Sequence, residues 1–168
     1  MITGLEYLSN LIICILFGWY GLPFISKGNL LLSIINIFGV LIQSTYLIIF
    51  LYYSPEVERL RILKLLSIAP CTFIFMIAEV FNIDQKVKGL LNGVIVASIV
   101  SFVYCYSFCV NIWMLIEKKN VESISIIWTS INILCDFTWL IYGVLHADLY
   151  IVVSFLVLIY FNPCFFLC

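Results

Sequence analysis

Three sets of polar side chains recur at helical spacing inside apolar sequence, and their types suit recognition of a neutral, hydroxyl-rich solute. Asn29, Ser33, Asn36, Gly39 or Val40, Gln43 and Tyr46 follow steps of three and four, which stacks them on one helix face. Ser125, Thr129, Asn132, Asp136, Trp139 and Gly143 repeat the pattern, and Tyr7, Asn10, Cys14, Gly18 and Gly21 form a weaker version. In hydrocarbon an unpaired amide or hydroxyl costs on the order of several kcal/mol, so such faces turn toward other helices or a watery cavity. Interhelical hydrogen bonding, with Gly18, Gly21, Gly39, Gly89 and Gly93 permitting close approach, accounts for any one of these residues. Taken together, with Trp19 and Trp139 close to two of the stripes, they make a sugar cavity the competing account. Aromatic faces suit a sugar's C–H surface, and amides both donate to and accept from its hydroxyls.

Two acids ask for separate treatment. Glu79 falls near a helix end, where a solvated carboxylate is expected. Asp136 falls about 20 Å into its helix at ~1.5 Å per residue. A charge at that depth costs roughly 2.5 to 3.5 kcal/mol. Either the carboxyl is protonated and hydrogen-bonded, or it lines a wet pathway and couples transport to protons. The seven cysteines (Cys14, Cys71, Cys105, Cys109, Cys135, Cys164 and Cys168) sit in or beside apolar runs without paired Cys/His spacing. They read as small buried hydrophobes, not as metal ligands or disulfides. No catalytic residue, metal or cofactor is expected.

The elements that must carry these stripes are membrane helices. Hydrophobic residues make up 65% of the chain and charged residues 10%, a composition of an integral membrane protein. The eight basic residues are scattered, which removes nucleic acid as a partner. A span needs roughly 20 apolar residues, and six stretches approach that. They run from about Tyr7 to Ile25, Asn29 to Tyr53, Leu60 to Ile83 with a kink at Pro70, Gly89 to Ile116, Ser123 to Leu145, and from Leu149 onward. The loops, Asp84 to Lys88 among them, are too short for a soluble domain. Glu6 follows Met1 without a basic n-region, so the first helix is expected to serve as its own insertion signal. Arg59, Arg61, Lys64, Lys118 and Lys119 on one side outnumber Lys27, Lys86 and Lys88 on the other. The first set is therefore expected in the cytoplasm, and the Pro23 to Gly28 turn outside or in a lumen.

The residues also carry a resemblance. Gly18-Trp19-Tyr20-Gly21-Leu22-Pro23-Phe24-Ile25-Ser26, followed by Asn29 and by Ile35-Asn36 with Gly39, resembles the second and third helices of the SWEET (MtN3/saliva) sugar transporters. Lys118-Lys119-Asn120-Val121-Glu122 resembles the family's Lys-x-Lys-Ser-Val-Glu loop. Leu134-Cys135-Asp136-Phe137-Thr138-Trp139-Leu140-Ile141-Tyr142-Gly143, ending in Asp148, resembles its sixth helix.

The resemblance implies an all-α polytopic bundle of about six transmembrane helices, in which parallel three-helix repeats are joined by a linker helix. Residues 1–54 would form a partial first repeat, 55–88 the linker and 89–168 the second repeat, with the first helix of repeat one absent. It also implies facilitative, bidirectional passage of a mono- or disaccharide, a glucose-like hexose or sucrose, by alternating access. The setting is a multi-pass protein of the plasma membrane or an internal membrane, in lipid, as a homo- or hetero-oligomer. The alternative is a non-transporting interaction subunit or an incomplete gene product; cargo of amino acids ranks last because no Pro-Gln pair occurs. Residue by residue, Asn36 and Trp139 match the family's substrate pocket, and Tyr20 and Asp148 its extracellular gate. Phe155, preceded by Ser154, stands where the second pocket asparagine belongs, and Phe17 where a pocket serine does. Glu6, Phe108 and Ser125 replace three hinge prolines.

Overall fold

A computed structural model describes residues 4–67, 85–118 and 126–161, with the single positions Pro70, Ile74 and Ile77. Among them are six helices: α1 (Gly4–Tyr20), α2 (Leu30–Tyr53), α3 (Glu56–Leu66), α4 (Gln85–Lys118), α5 (Ile126–Leu145) and α6 (Leu149–Phe161). Helix α1 stops five residues before the expected Ile25. Pro23 lacks an amide proton and steers Leu22 away from helical dihedrals. The chain turns instead, with Leu22 N donating to Trp19 O at 3.1 Å and Ile25 N to Leu22 O at 2.9 Å. Pro55 acts likewise on Ser54, which is extended at φ −79° and ψ 152°. Helix α3 then opens with Glu56 and Glu58 in its first turn and closes with Lys64 in its last, both favourable to its dipole.

Helix α4 takes in residues expected to be loop, beginning at Gln85 instead of Gly89. Several expectations involve residues or side chains outside those described. They are the continuation of the third span toward Ile83 with a bend at Pro70, Glu79, Cys71, Cys164 and Cys168, Lys119 to Ser125, and the side chains of Phe108, Thr129 and Asn132.

The chain divides into two compact units, at Gly93 and Val94 within α4. In the first, Leu8, Leu11, Leu47 and Ile62 form a buried cluster, with Tyr7, Ile12, Val40, Phe50 and Leu65 packed against it. This ties α3 to the α1–α2 hairpin. In the second, Val96, Val100, Ile151, Phe155 and Leu158 are buried. Among the described residues two stretches, Leu30–Tyr53 and Gly89–Tyr106, are long and apolar enough to cross a membrane. Helix α2 nevertheless buries only Leu32, Ser33 and Leu47, and it exposes Phe38 by 63% and Ile48 by 67%. In water each such side chain would cost on the order of 1 kcal/mol or more, a cost that hydrocarbon removes.

Candidate functional site

In the first unit the polar stripe of α2 faces α1. Ser33, 1% exposed, donates through Oγ to Gly18 O at 2.6 Å, the interhelical hydrogen bond expected for it. The chain comes against the α2 backbone at Gly21, just past α1, where an added Cβ would stand 2.6 Å from Ser33 N and 2.8 Å from Asn29 O. Any side chain at Gly21 would therefore collide with backbone. Asn29 is buried, and its Nδ2 donates to Ser26 Oγ at 2.7 Å, which ties the turn to the start of α2. At Gly39 an added Cβ would lie 2.8 Å from Cys14 Sγ.

One turn further along α2 from Ser33 stands Asn36, half-buried, with its Nδ2 donating to Leu32 O at 2.8 Å. Its Oδ1 has no hydrogen-bond partner among the described residues. Its Cβ lies 3.7 Å from the place a Gly18 side chain would begin. Gly18 in turn lines a groove of about 210 Å³ between α1 and α2, together with Cys14, Ile15, Trp19, Leu22, Ile37 and Val40. The amide thus stands at the edge of an aromatic-walled groove with an acceptor to spare. Tyr20, at the last position of α1, is buried.

In the second unit the described part of the stripe, from Asp136 onward, runs into an aromatic ladder. The Trp139 ring stacks on Phe155, centroids 5.9 Å apart and planes inclined by 16°. Its other neighbour is the edge of Tyr142, 5.5 Å away at 82°, and Tyr142 stacks in turn on His146 at 4.1 Å. Phe155 is 5% exposed and covers part of the Trp139 surface. Asp136 is 8% exposed and is not without a partner. Asp148 caps the N-terminus of α6, its Oδ1 accepting from Tyr150 N at 3.1 Å and from Ile151 N at 3.3 Å.

Asn36 and Tyr20 belong to the first unit, and Trp139, Asp136 and Asp148 to the second. Sequence reasoning passed over Asn92. This residue is 1% exposed and accepts a hydrogen bond through Oδ1 from Trp19 Nε1 at 3.1 Å. A lone amide within the apolar run of Gly89 to Val103 was the signal, because such a group needs a partner. The stack of Tyr142 on His146 had the i,i+4 spacing of helix neighbours as its signal, continuing the three-residue step from Trp139.

No protein-family model matches the chain. Among curated proteins it is 31% identical over 153 residues to "Bidirectional sugar transporter SWEET1" of Arabidopsis thaliana, covering 90% of this chain and 61% of that protein. It is 33% identical over 154 residues to "Bidirectional sugar transporter SWEET1a" of Sorghum bicolor, covering 90% and 56%. Against "Bidirectional sugar transporter SWEET2b" of Oryza sativa subsp. indica the identity is 30% over 151 residues, covering 88% and 65%. The chain therefore spans about three fifths of the length of these relatives. The fold superposes with a TM-score of 0.78 on the 3.7 Å resolution structure of a eukaryotic SWEET transporter, at 25% identity, covering 96% of this chain and 75% of that one. With an all-helical bundle among the described residues and curated relatives along nine tenths of its length, the chain is similar in sequence and fold to the SWEET transporters.

Proposed function

We propose that this chain moves a mono- or disaccharide, a glucose-like hexose or sucrose, down its gradient through the plasma membrane by alternating access. The observation that carries this proposal is the match along 90% of the chain to proteins named bidirectional sugar transporters. The first hairpin supports it chemically. Asn36 offers an amide oxygen with no partner among the described residues, beside a groove walled by Trp19. In this proposal Asn36 binds sugar hydroxyls and Trp139 lies along a ring face. Tyr20 and Asp148 each serve the outer gate. No step makes or breaks a covalent bond, so no cofactor or metal takes part. Asp136 serves as a structural carboxyl: Asp136→Asn is expected to keep the pH profile of uptake, and a lost acid stimulation would instead assign it to proton coupling.

Expression of the chain in a yeast that lacks hexose transporters, followed by tracer uptake, tests the proposal. Uptake by membrane-resident protein is the expected result, and none from a well-expressed product would defeat it. A second reading draws on Phe155, which occupies the surface of Trp139: an interaction subunit that functions only with a complete partner. Uptake seen only when a full-length family member is co-expressed would favour that reading.

A further inference from the structure

The Trp19 indole is held from two directions. Its Nε1 donates to Asn92 Oδ1 at 3.1 Å, across 73 positions of sequence. Phe24 meets its ring edge-on, centroids 5.9 Å apart and planes at 83°. Asn92 lies in the part of α4 that packs with the first unit, where Gly89 allows the Ile25 carbonyl to approach; a Cβ there would be 3.1 Å from that oxygen. A buried amide in a membrane helix is costly unless paired, and leucine would fill the same apolar helix without that cost. The amide's geometrical effect is to fix which surface Trp19 shows. With its nitrogen edge turned to α4, the ring remains as one wall of the α1–α2 groove, and Gly18 connects that groove to Asn36.

We propose that Asn92 is a positioning residue for sugar recognition. It holds the Trp19 ring as the aromatic wall beside Asn36 and so sets the affinity for sugar without touching it. This inference rests on the sugar-transport proposal above. The hydrogen bond fixes the ring before sugar arrives, so less ordering remains to be done on binding. The second unit fixes its own tryptophan by other means, through the Phe155 stack. Trp19 is accordingly the ring held by a hydrogen bond to an amide oxygen from α4 as well as by an aromatic edge.

The test uses the full chain in the transporter-deficient yeast, with tracer uptake measured across sugar concentration and surface protein quantified by labelling. Trp19→Phe keeps a ring but removes the donor; Asn92→Leu keeps the volume but removes the acceptor. Each is expected to raise KM roughly five- to tenfold while Vmax per surface molecule stays within about twofold, the pattern of lost preorganised binding. The double variant should be no worse than either single one, because both remove the same bond. An unchanged KM in Trp19→Phe, losses confined to Vmax, or additive losses in the double variant would each overturn the inference. Should Asn92→Leu fail to reach the membrane, the KM of Trp19→Phe decides alone. Absence of uptake by the unmodified chain overturns both the transport proposal and this inference, whereas uptake with an unaltered KM in Trp19→Phe overturns this inference only.

Discussion

The hairpins α1–α2 and α5–α6 solve the same packing problem with different chemistry. Asn29 precedes α2 and Asp148 precedes α6; roughly two helical turns beyond each lie Asn36 and Phe155, in matching register. Each hairpin also closes on a glycine. At Gly21 the facing atoms are backbone, Ser33 N and Asn29 O, and Ser33 adds a hydrogen bond to Gly18 O. At Gly143 the facing atoms are side-chain carbons, Cγ2 and Cβ of Ile151 and Cγ2 of Val152, and Ser154 turns back to Tyr150 O of its own helix at 2.7 Å. At its closing glycine the first hairpin therefore meets polar backbone, whereas the second meets apolar side chains. Two helix pairs of the same register can therefore close on a glycine with different chemistry.

The largest expected effect tests that difference at the glycines. Gly21→Ala would put its Cβ 2.6 Å from a main-chain nitrogen, which no rotamer change can relieve. A loss of about 3 kcal/mol or more is expected, at the upper end for overpacking. Gly143→Ala meets Ile151 Cγ2 at 2.9 Å and Ile151 Cβ and Val152 Cγ2 at 3.1 Å; the methyls can shift but the Cβ moves only with its backbone, and about 1 to 2 kcal/mol is expected. Thermal unfolding of the detergent-purified protein reads the pair, at roughly 2 to 4 °C per kcal/mol for a chain of this size. Equal shifts for the two variants would show that the closures are alike.

Next in size is the asymmetry of recognition. Asn36→Leu is expected to lower sugar uptake about tenfold, the equivalent of ~1.4 kcal/mol, one hydrogen bond's worth of binding. Phe155→Asn should act oppositely. It removes a stack worth roughly 0.5 to 1.5 kcal/mol but uncovers Trp139 and restores an amide in the register of Asn36, so uptake should rise several-fold. Tracer uptake normalised to surface protein measures both. A fall with Phe155→Asn as deep as with Asn36→Leu would mean that the second hairpin already works through its aromatic filling.

Much of this comparison was legible in the sequence because hydrophobic runs and three-and-four polar spacing report helix identity and facing directly. The span of α2, the face shared by Ser33 and Asn36, and the substitution at Phe155 all follow from periodicity or from the family motif. What stayed hidden depends on where single polar atoms go. Asn36 commits its donor to Leu32 O, and Asp148 commits an oxygen to the first amides of α6. No spacing rule separates a capping carboxylate from a gate carboxylate. The end of α5 at Leu145 and the start of α6 at Leu149 were legible from the polar link between them, whereas at the end of α1 the Leu22-Pro23 pair overrode an apolar run that continues to Ile25.

Asp148 supplies a smaller test, since it stands where the capping and gating accounts make different demands. Asp148→Ala removes the acceptor for Tyr150 N and Ile151 N and is expected to cost about 1 kcal/mol. Asp148→Asn keeps a capping oxygen and should unfold near the unmodified protein's temperature. If the asparagine variant is stable but loses uptake, the charge matters beyond the cap. If it retains uptake, the cap is what α6 requires of this residue.

The smallest effect sets the two turns against each other. In the short link after α5, Ala147 holds φ at +53°, with its N donating to Val144 O at 3.1 Å and Asp148 N donating to Gly143 O at 2.9 Å. This is the left-handed helix ending that glycine usually supplies, and adopting it costs alanine roughly 1 to 2 kcal/mol in steric repulsion. Ala147→Gly relieves that repulsion while adding about 0.4 to 1 kcal/mol of unfolded-state freedom. The net is a stabilisation of about 0.5 kcal/mol, or a rise of roughly one or two degrees at unfolding. In the longer link after α1 the left-handed position, φ +98°, already belongs to Gly28, and its surroundings are open. Gly28→Ala should therefore destabilise through its backbone alone, by about 1 kcal/mol. Opposite signs at the two positions would show that the second hairpin tolerates a strained corner to keep its link short. Matching signs would place the control of these turns in the contacts around them, not in their dihedral angles.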